Sequence, residues 1–147
     1  MERCKLAWDY HKKGFNCSQS VLAAFGDLTG LSLQDSCNIS GGFGGGAGTR
    51  ELCGAISGAV MTLGVLTPVD LADPAGSKKR TAALAREFQK RFQERFGALR
   101  CQELLEKKTE LTGETAPAAV RLGVTGHCSV MIVTAVEILE EMLAERA

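Results

Sequence analysis

The sequence predicts an all-α fold: a compact helical bundle of about five main helices with a glycine-rich loop. Three observations carry that expectation. Residues that cap helices recur just ahead of apolar stretches, among them Asn16, Ser32, Thr49, Asp73 and Thr125. Apolar side chains return once per helical turn, most plainly at Leu84, Phe88, Phe92 and Phe96. Alternation with period two, the mark of a half-buried strand, is nearly absent. The chain has 147 residues and is 45% apolar, which suits one domain over 1–147 with its own core. No internal repeat or linker-like stretch divides it.

Taken in order, a first helix spans 2–13, carrying Cys4, Leu6, Ala7, Trp8 and Tyr10, and stops at Gly14. Asn16-Cys17-Ser18-Gln19 reads as a capping box, with Asn16 as N-cap and Gln19 three residues on. The helix that follows, 17–28, buries Val21, Leu22 and Phe25 and ends near Gly30. Ser32 caps a short helix through Ile39. Thr49 is expected to cap a helix over 50–66 that stops ahead of Pro68. Asp73-Pro74 opens the next helix in the favoured order of N-cap then proline at the first helical position. It runs to Gly97. Cys101–Lys108 is a short helix, 109–124 is the least patterned stretch, and Thr125 precedes a last helix over 126–145 with Val130, Val133, Ile138 and Leu139 inward.

Charge narrows the function classes. Lys plus Arg and Asp plus Glu each total 17, so the overall balance argues neither for nucleic acid nor for an anionic membrane. Its distribution is uneven: 78–100 is basic and the tail after 102 is acidic, Glu110 included. Complementary solvated faces are the simpler reading, and a docking surface for an acidic redox partner the alternative. No apolar run approaches the ~20 residues of a membrane span. Residues 1–4, Met-Glu-Arg-Cys, lack the apolar core of a signal peptide, so a cytoplasmic protein is expected. The Phe88, Phe92, Phe96 stripe and the apolar 50–66 helix suggest a homodimer, on the ground that one short bundle leaves them uncovered.

Six cysteines in a reducing compartment point to catalytic thiols or metal binding rather than to a disulfide framework. No C-x-x-C pair occurs, which argues against a thioredoxin-like dithiol and against common zinc knuckles. Cys17, Cys53, Cys101 and Cys128 each fall at or near a predicted helix start. Unpaired N–H groups and a partial positive charge there favour the thiolate. Four helix starts at one end of a bundle can aim four sulfurs at one point. Cys4 lies inside the first helix and Cys37 a few residues before the glycine tract; both read more simply as small buried hydrophobes.

The tract Gly41-Gly42-Phe43-Gly44-Gly45-Gly46-Ala47-Gly48 leads directly toward Cys53. It has no Gly-Lys-Ser/Thr ending and no preceding strand, so a nucleotide phosphate loop is a poor match. Close approach of backbone N–H groups at Gly44, Gly45 and Gly46 to a cluster or small anion fits better, with Arg50 adding a fixed positive charge. Gly54 and Gly58, four residues apart, permit close helix packing. With a glycine loop before it and Arg50 nearby, Cys53 is expected to ionise below the ~8.5 of a free cysteine. His11 reads as a surface residue. His127, next to Cys128, reads as an exposed polar side chain, with ligand or proton donor as alternatives. No Ser/His/Asp arrangement supports a hydrolase.

Taken together, these segments resemble the C_GCAxxG_C_C family, redox-active proteins named for their cysteine pattern. Gly14-Phe15-Asn16-Cys17-Ser18-Gln19-Ser20-Val21 is similar to its opening motif, Ser40 through Gly46 to its glycine motif, and Cys53-Gly54-Ala55-Ile56-Ser57-Gly58 to its signature. Phe92 through Gly97 with Cys101 through Leu105 takes the third cysteine's place, and Cys128 with its apolar helix the fourth. Cys4 and Cys37 stand outside the pattern. The resemblance implies a redox role for Cys17, Cys53, Cys101 and Cys128, with electron transfer to or from a partner protein. The leading expectation is an iron–sulfur cluster on these four thiols, which soft metals and clusters select. A cofactor-free thiol–disulfide protein, a Cys4 zinc site in an interaction protein, and an all-α dimer with inert cysteines remain beside it.

Overall fold

The computed structural model describes residues 1–107 and 112–146. Among them the chain forms nine α-helices: α1 (Glu2–Lys12), α2 (Cys17–Ala23), α3 (Gly26–Thr29), α4 (Leu33–Ser40), α5 (Gly54–Leu66), α6 (Pro74–Phe96), α7 (Cys101–Lys107), α8 (Pro117–Leu122) and α9 (His127–Arg146). The all-α expectation holds, with more and shorter helices than five. The only strand-like pairing among the described residues is an isolated antiparallel bridge, Leu52 to Arg100. Lys108, expected to end α7, and Glu110 of the acidic tail lie outside the described residues.

α9 is the centre of the bundle. Val130 through Val136 are all buried, as are Ile138 and Leu139, so the helix is enclosed on every side over its first half. It packs against α1, α2, α5, α6 and α8. α2 lies most extensively against α5. That contact is close because Gly58 carries no side chain: a Cβ there would stand 2.6 Å from the Ser18 carbonyl oxygen and 3.1 Å from Val21 Cβ.

Several caps follow the local rules. Ser32 accepts from the Asp35 amide at 3.0 Å and Asp73 from the Gly76 amide at 3.0 Å, with Pro74 next. α6 ends on Gly97 in the left-handed region, φ 75°. The predicted 17–28 helix is divided: α2 stops at Ala23, and after Phe25 the short α3 runs into Gly30, φ 74°. A further helix, α8, lies within the stretch read as unpatterned, opened by Pro117.

Two expectations are corrected. Thr49 does not cap a helix starting at 50. Gly45, Gly46, Ala47, Gly48 and Arg50 all have positive φ, between 58° and 77°, which a right-handed helix cannot contain. The chain instead makes a wide turn, pairs Leu52 with Arg100, and enters α5 with Cys53 as its N-cap. Nor do the phenylalanines form an exposed stripe. Phe88, Phe92 and Phe96 are buried, the first two rings stacked with centroids 6.2 Å apart and the last two edge to face at 5.0 Å, so they supply core rather than a surface for a second copy.

The uneven charge resolves into complementary faces. Arg91 on α6 pairs with Glu87 and Glu145, and Arg95 pairs with Glu137 and Glu141. The bonds to Glu137, Glu141 and Glu145 tie α6 to α9, and the one to Glu87 lies within α6, each worth about 0–1 kcal/mol where solvated. No helix among the described residues is long and apolar enough to cross a membrane.

Candidate functional site: four thiols at the helix starts

Cys17 is the first residue of α2, and the capping box that fixes it is present as the sequence implied. Asn16 Oδ1 accepts from the Gln19 amide and Gln19 Oε1 accepts from the Asn16 amide, each at 3.0 Å. The two side chains also reach outward. Asn16 Nδ2 donates to the Gly41 carbonyl at 3.0 Å, and Gln19 Nε2 donates to the Cys37 carbonyl at 3.1 Å. The cap of α2 is thus bolted to the end of α4 and the start of the glycine tract.

The glycines bring the cysteine-bearing backbones together. A Cβ on Gly54 would lie 3.0 Å from the Phe43 carbonyl and 3.2 Å from Cys17 Cβ. A Cβ on Gly44 would overlap the Asn16 side chain, and one on Gly46 would overlap the Glu51 amide while standing 3.1 Å from Cys101 Cβ. Three glycines therefore serve close approach around Cys17 and Cys101. Gly45 meets nothing within 4 Å; its role is the left-handed turn.

Cys53 and Cys101 are set by the single bridge. The Cys53 amide donates to the Leu99 carbonyl at 2.9 Å and the Cys101 amide to the Glu51 carbonyl at 2.6 Å. Flanking Leu52 and Arg100 in antiparallel register, the two cysteines are diagonal neighbours on one face of this minimal pair. Arg100 braces the bridge from outside through Glu51 and Glu103. Cys128 is the second residue of α9.

All four thiols act on one another. The Cys17 and Cys128 thiols influence each other most strongly, and Cys17 also feels the charges of Cys53 and Cys101. Cys53 feels Cys101 and Cys128, and Cys101 feels Cys128. Cys4 and Cys37 are elsewhere. Cys4 is buried against α9, its Sγ 3.7 Å from the Val133 carbonyl and 3.9 Å from Glu140 Oε1.

Electrostatics separates the four. Each thiol of the pair disfavours a second negative charge beside its own, so one ionises first: Cys128 falls below the ordinary cysteine value and Cys17 rises. Cys128 stands at the start of a 20-residue helix, which favours its thiolate, whereas Cys17 is packed against the apolar core. The expectation of an acidic Cys53 is corrected. Cys53 is 5% exposed, and burial pushes its thiol up to about 11, outweighing the opposing influence of the Ala55 and Ile56 amides at the helix start. Burial and Cys128 raise Cys101 above the ordinary value, and Arg50 acts here rather than on Cys53, offsetting part of that rise. The Arg50 guanidinium donates from Nη1 to Gln102 Oε1 at 3.3 Å. Burial also raises Cys4, to about 12.

Histidine placement differs from the expectation too. His11 is half-buried, not a surface residue, and its Nδ1 shares a 2.9 Å hydrogen bond with Ser129 Oγ. His127 is also half-buried. Burial lowers both below the ordinary value of 6.5. The sign follows: below 6.5 the unfolded chain takes up protons that the folded chain resists, so stability is lost as pH falls. The urea midpoint is expected to be lower at pH 5.5 than at pH 7, with a smaller drop in His11→Gln; equal midpoints in the parent protein would exclude this.

Among the described residues no group of three or more His, Cys, Asp or Glu side chains is arranged to hold a metal ion. The strongest interaction among the four thiols is between Cys17 and Cys128.

The known proteins add one match. A family model described as "Putative redox-active protein (C_GCAxxG_C_C)" matches residues 15–142. No curated protein and no solved structure matches the chain. The matched span contains Cys17, Cys53, Cys101 and Cys128 and excludes Cys4 and His11. With so much of its length matched, the chain belongs to the C_GCAxxG_C_C family of redox-active proteins.

Proposed function

We propose that the protein is a thiol–disulfide redox protein in which Cys17 and Cys128 form the working pair. The strong mutual influence of the two thiols, which lowers Cys128 and raises Cys17, carries this reading together with their places in the first turns of α2 and α9. A thiolate beside a thiol is the starting arrangement for disulfide exchange. Cys128 as thiolate attacks one sulfur of a disulfide on a partner protein or small thiol. The partner's S–S bond breaks, a mixed disulfide to Cys128 forms, and the released partner thiolate takes up a proton. Cys17 then gives up its proton and attacks the Cys128 sulfur. The second partner thiolate leaves, and a Cys17–Cys128 disulfide remains. Two electrons have passed to the partner, and a reducing dithiol restores the pair. Cys53, which is buried, and Cys101, which feels Arg50, are the acceptors of the disulfide in a further exchange.

The test is a redox titration of the full chain against reduced and oxidised glutathione, with peptide mapping of the products. A Cys17–Cys128 linkage forming first is the expected result. Oxidation confined to Cys37, or a first linkage elsewhere, would exclude the pair.

A second reading, an iron–sulfur cluster on the same four thiols, is supported by the electrostatic influence that the four exert on one another. Iron and sulfide analysis of anaerobically purified protein separates the two readings.

A further inference from the structure

We propose that His11 and Ser129 form a clamp that sets the geometry of the Cys17–Cys128 pair, and so act as positioning residues for disulfide exchange. The inference rests on the thiol–disulfide reading above. Its basis is the 2.9 Å hydrogen bond between His11 Nδ1 and Ser129 Oγ, two residues 118 apart in sequence.

Each end of that bond is coupled tightly to one thiol. Ser129 follows Cys128 directly, in the first turn of α9, and is 8% exposed. His11 lies in the last turn of α1. The chain from there to Cys17 is short and held at every step. The Gly14 amide donates to the His11 carbonyl at 3.0 Å, and Gly14 turns the chain at φ 106°. The Phe15 amide donates to the Tyr10 carbonyl at 3.3 Å, and the two rings meet edge to face at 5.7 Å. Asn16 then caps α2 through its reciprocal bonds with Gln19. A stiff path therefore runs from His11 to Cys17, and one peptide unit joins Ser129 to Cys128. The bond between His11 and Ser129 closes the loop of contacts across the pair.

Closing that loop matters because disulfide formation within a pair depends on how often the two sulfurs stand in attacking geometry. Restricting their relative motion raises the effective concentration of one thiol at the other. The sequence offers no hint of this clamp, since histidine and serine come from opposite ends of the chain and neither touches a motif.

The experiment measures the equilibrium constant of the full chain against glutathione for the Cys17–Cys128 disulfide. The variants are His11→Ala, Ser129→Ala, the double variant and His11→Asn, whose amide can reach the position of Nδ1. Each single alanine variant is expected to lower the constant about tenfold, equal to a potential about 30 mV less reducing. The double variant should lose no more than either single one, because both remove the same bond. His11→Asn should recover most of the loss. An unchanged constant in both alanine variants, or losses that add, would overturn the clamp while leaving the exchange reading intact. Failure of the parent protein to form the disulfide would overturn the exchange reading and the clamp with it. If His11→Ala does not fold, Ser129→Ala decides, since it removes a single hydroxyl.

Discussion

Cys128→Ser is expected to abolish exchange with a disulfide substrate, a loss of roughly 1,000-fold or more in rate, as when an enzyme nucleophile is deleted. The size follows from its role. Cys128 is the thiol whose pKa the pair lowers, so at neutral pH it supplies the thiolate, and a serine hydroxyl there stays protonated. Cys17→Ser should behave differently. The first attack still occurs, but no resolving thiol remains, so a mixed disulfide on Cys128 should accumulate and be visible by mass. Cys4→Ser should change neither step, because Cys4 is buried in the core with its thiol pushed up to about 12. At pH 7, alkylation should reach Cys128 before Cys53, whose thiol burial holds near 11. If Cys53 is alkylated first, or if Cys128→Ser retains exchange, the assignment of the nucleophile is wrong.

A second large effect is expected at Gly58, with the opposite sign at Gly64 on the same helix. Alanine exceeds glycine in helix propensity by about 1 kcal/mol. Gly64 has nothing within 4 Å of where a Cβ would sit, so Gly64→Ala should stabilise by up to that amount. Gly58→Ala gains the same propensity, but its methyl group meets the Ser18 carbonyl at 2.6 Å, which is backbone and cannot rotate away. Helix α2 must then move off α5, at a cost of about 1–3 kcal/mol or more. The shift carries Cys17 with it, so exchange should weaken alongside stability. Urea unfolding of the two variants checks both signs. A Gly58→Ala protein as stable as Gly64→Ala would mean that the α2–α5 contact is looser than described.

The sequence alone determined what depends on near neighbours. Asn16 and Gln19, Ser32, and Asp73 with Pro74 announce helix starts through bonds that span three residues, so they were legible without a fold. Recurrence of Leu84, Phe88, Phe92 and Phe96 marked α6 for the same reason, and the four-cysteine pattern marked the site. Sequence could not say which way that phenylalanine face points, because the helices packed against α6, α5 and α9, are separate elements whose docking no local pattern specifies. Tertiary structure decided that α5 begins after Cys53, since five consecutive or near-consecutive left-handed residues and a bridge to Arg100 end any earlier helix. It decided that Arg50 serves Cys101, that His11 reaches Ser129, and that Cys53 is buried deeply enough for desolvation to outweigh its helix-start amides. Position at a helix start is a local property and favours a thiolate; exclusion of water is a property of the whole packing, and for Cys53 the second is the larger.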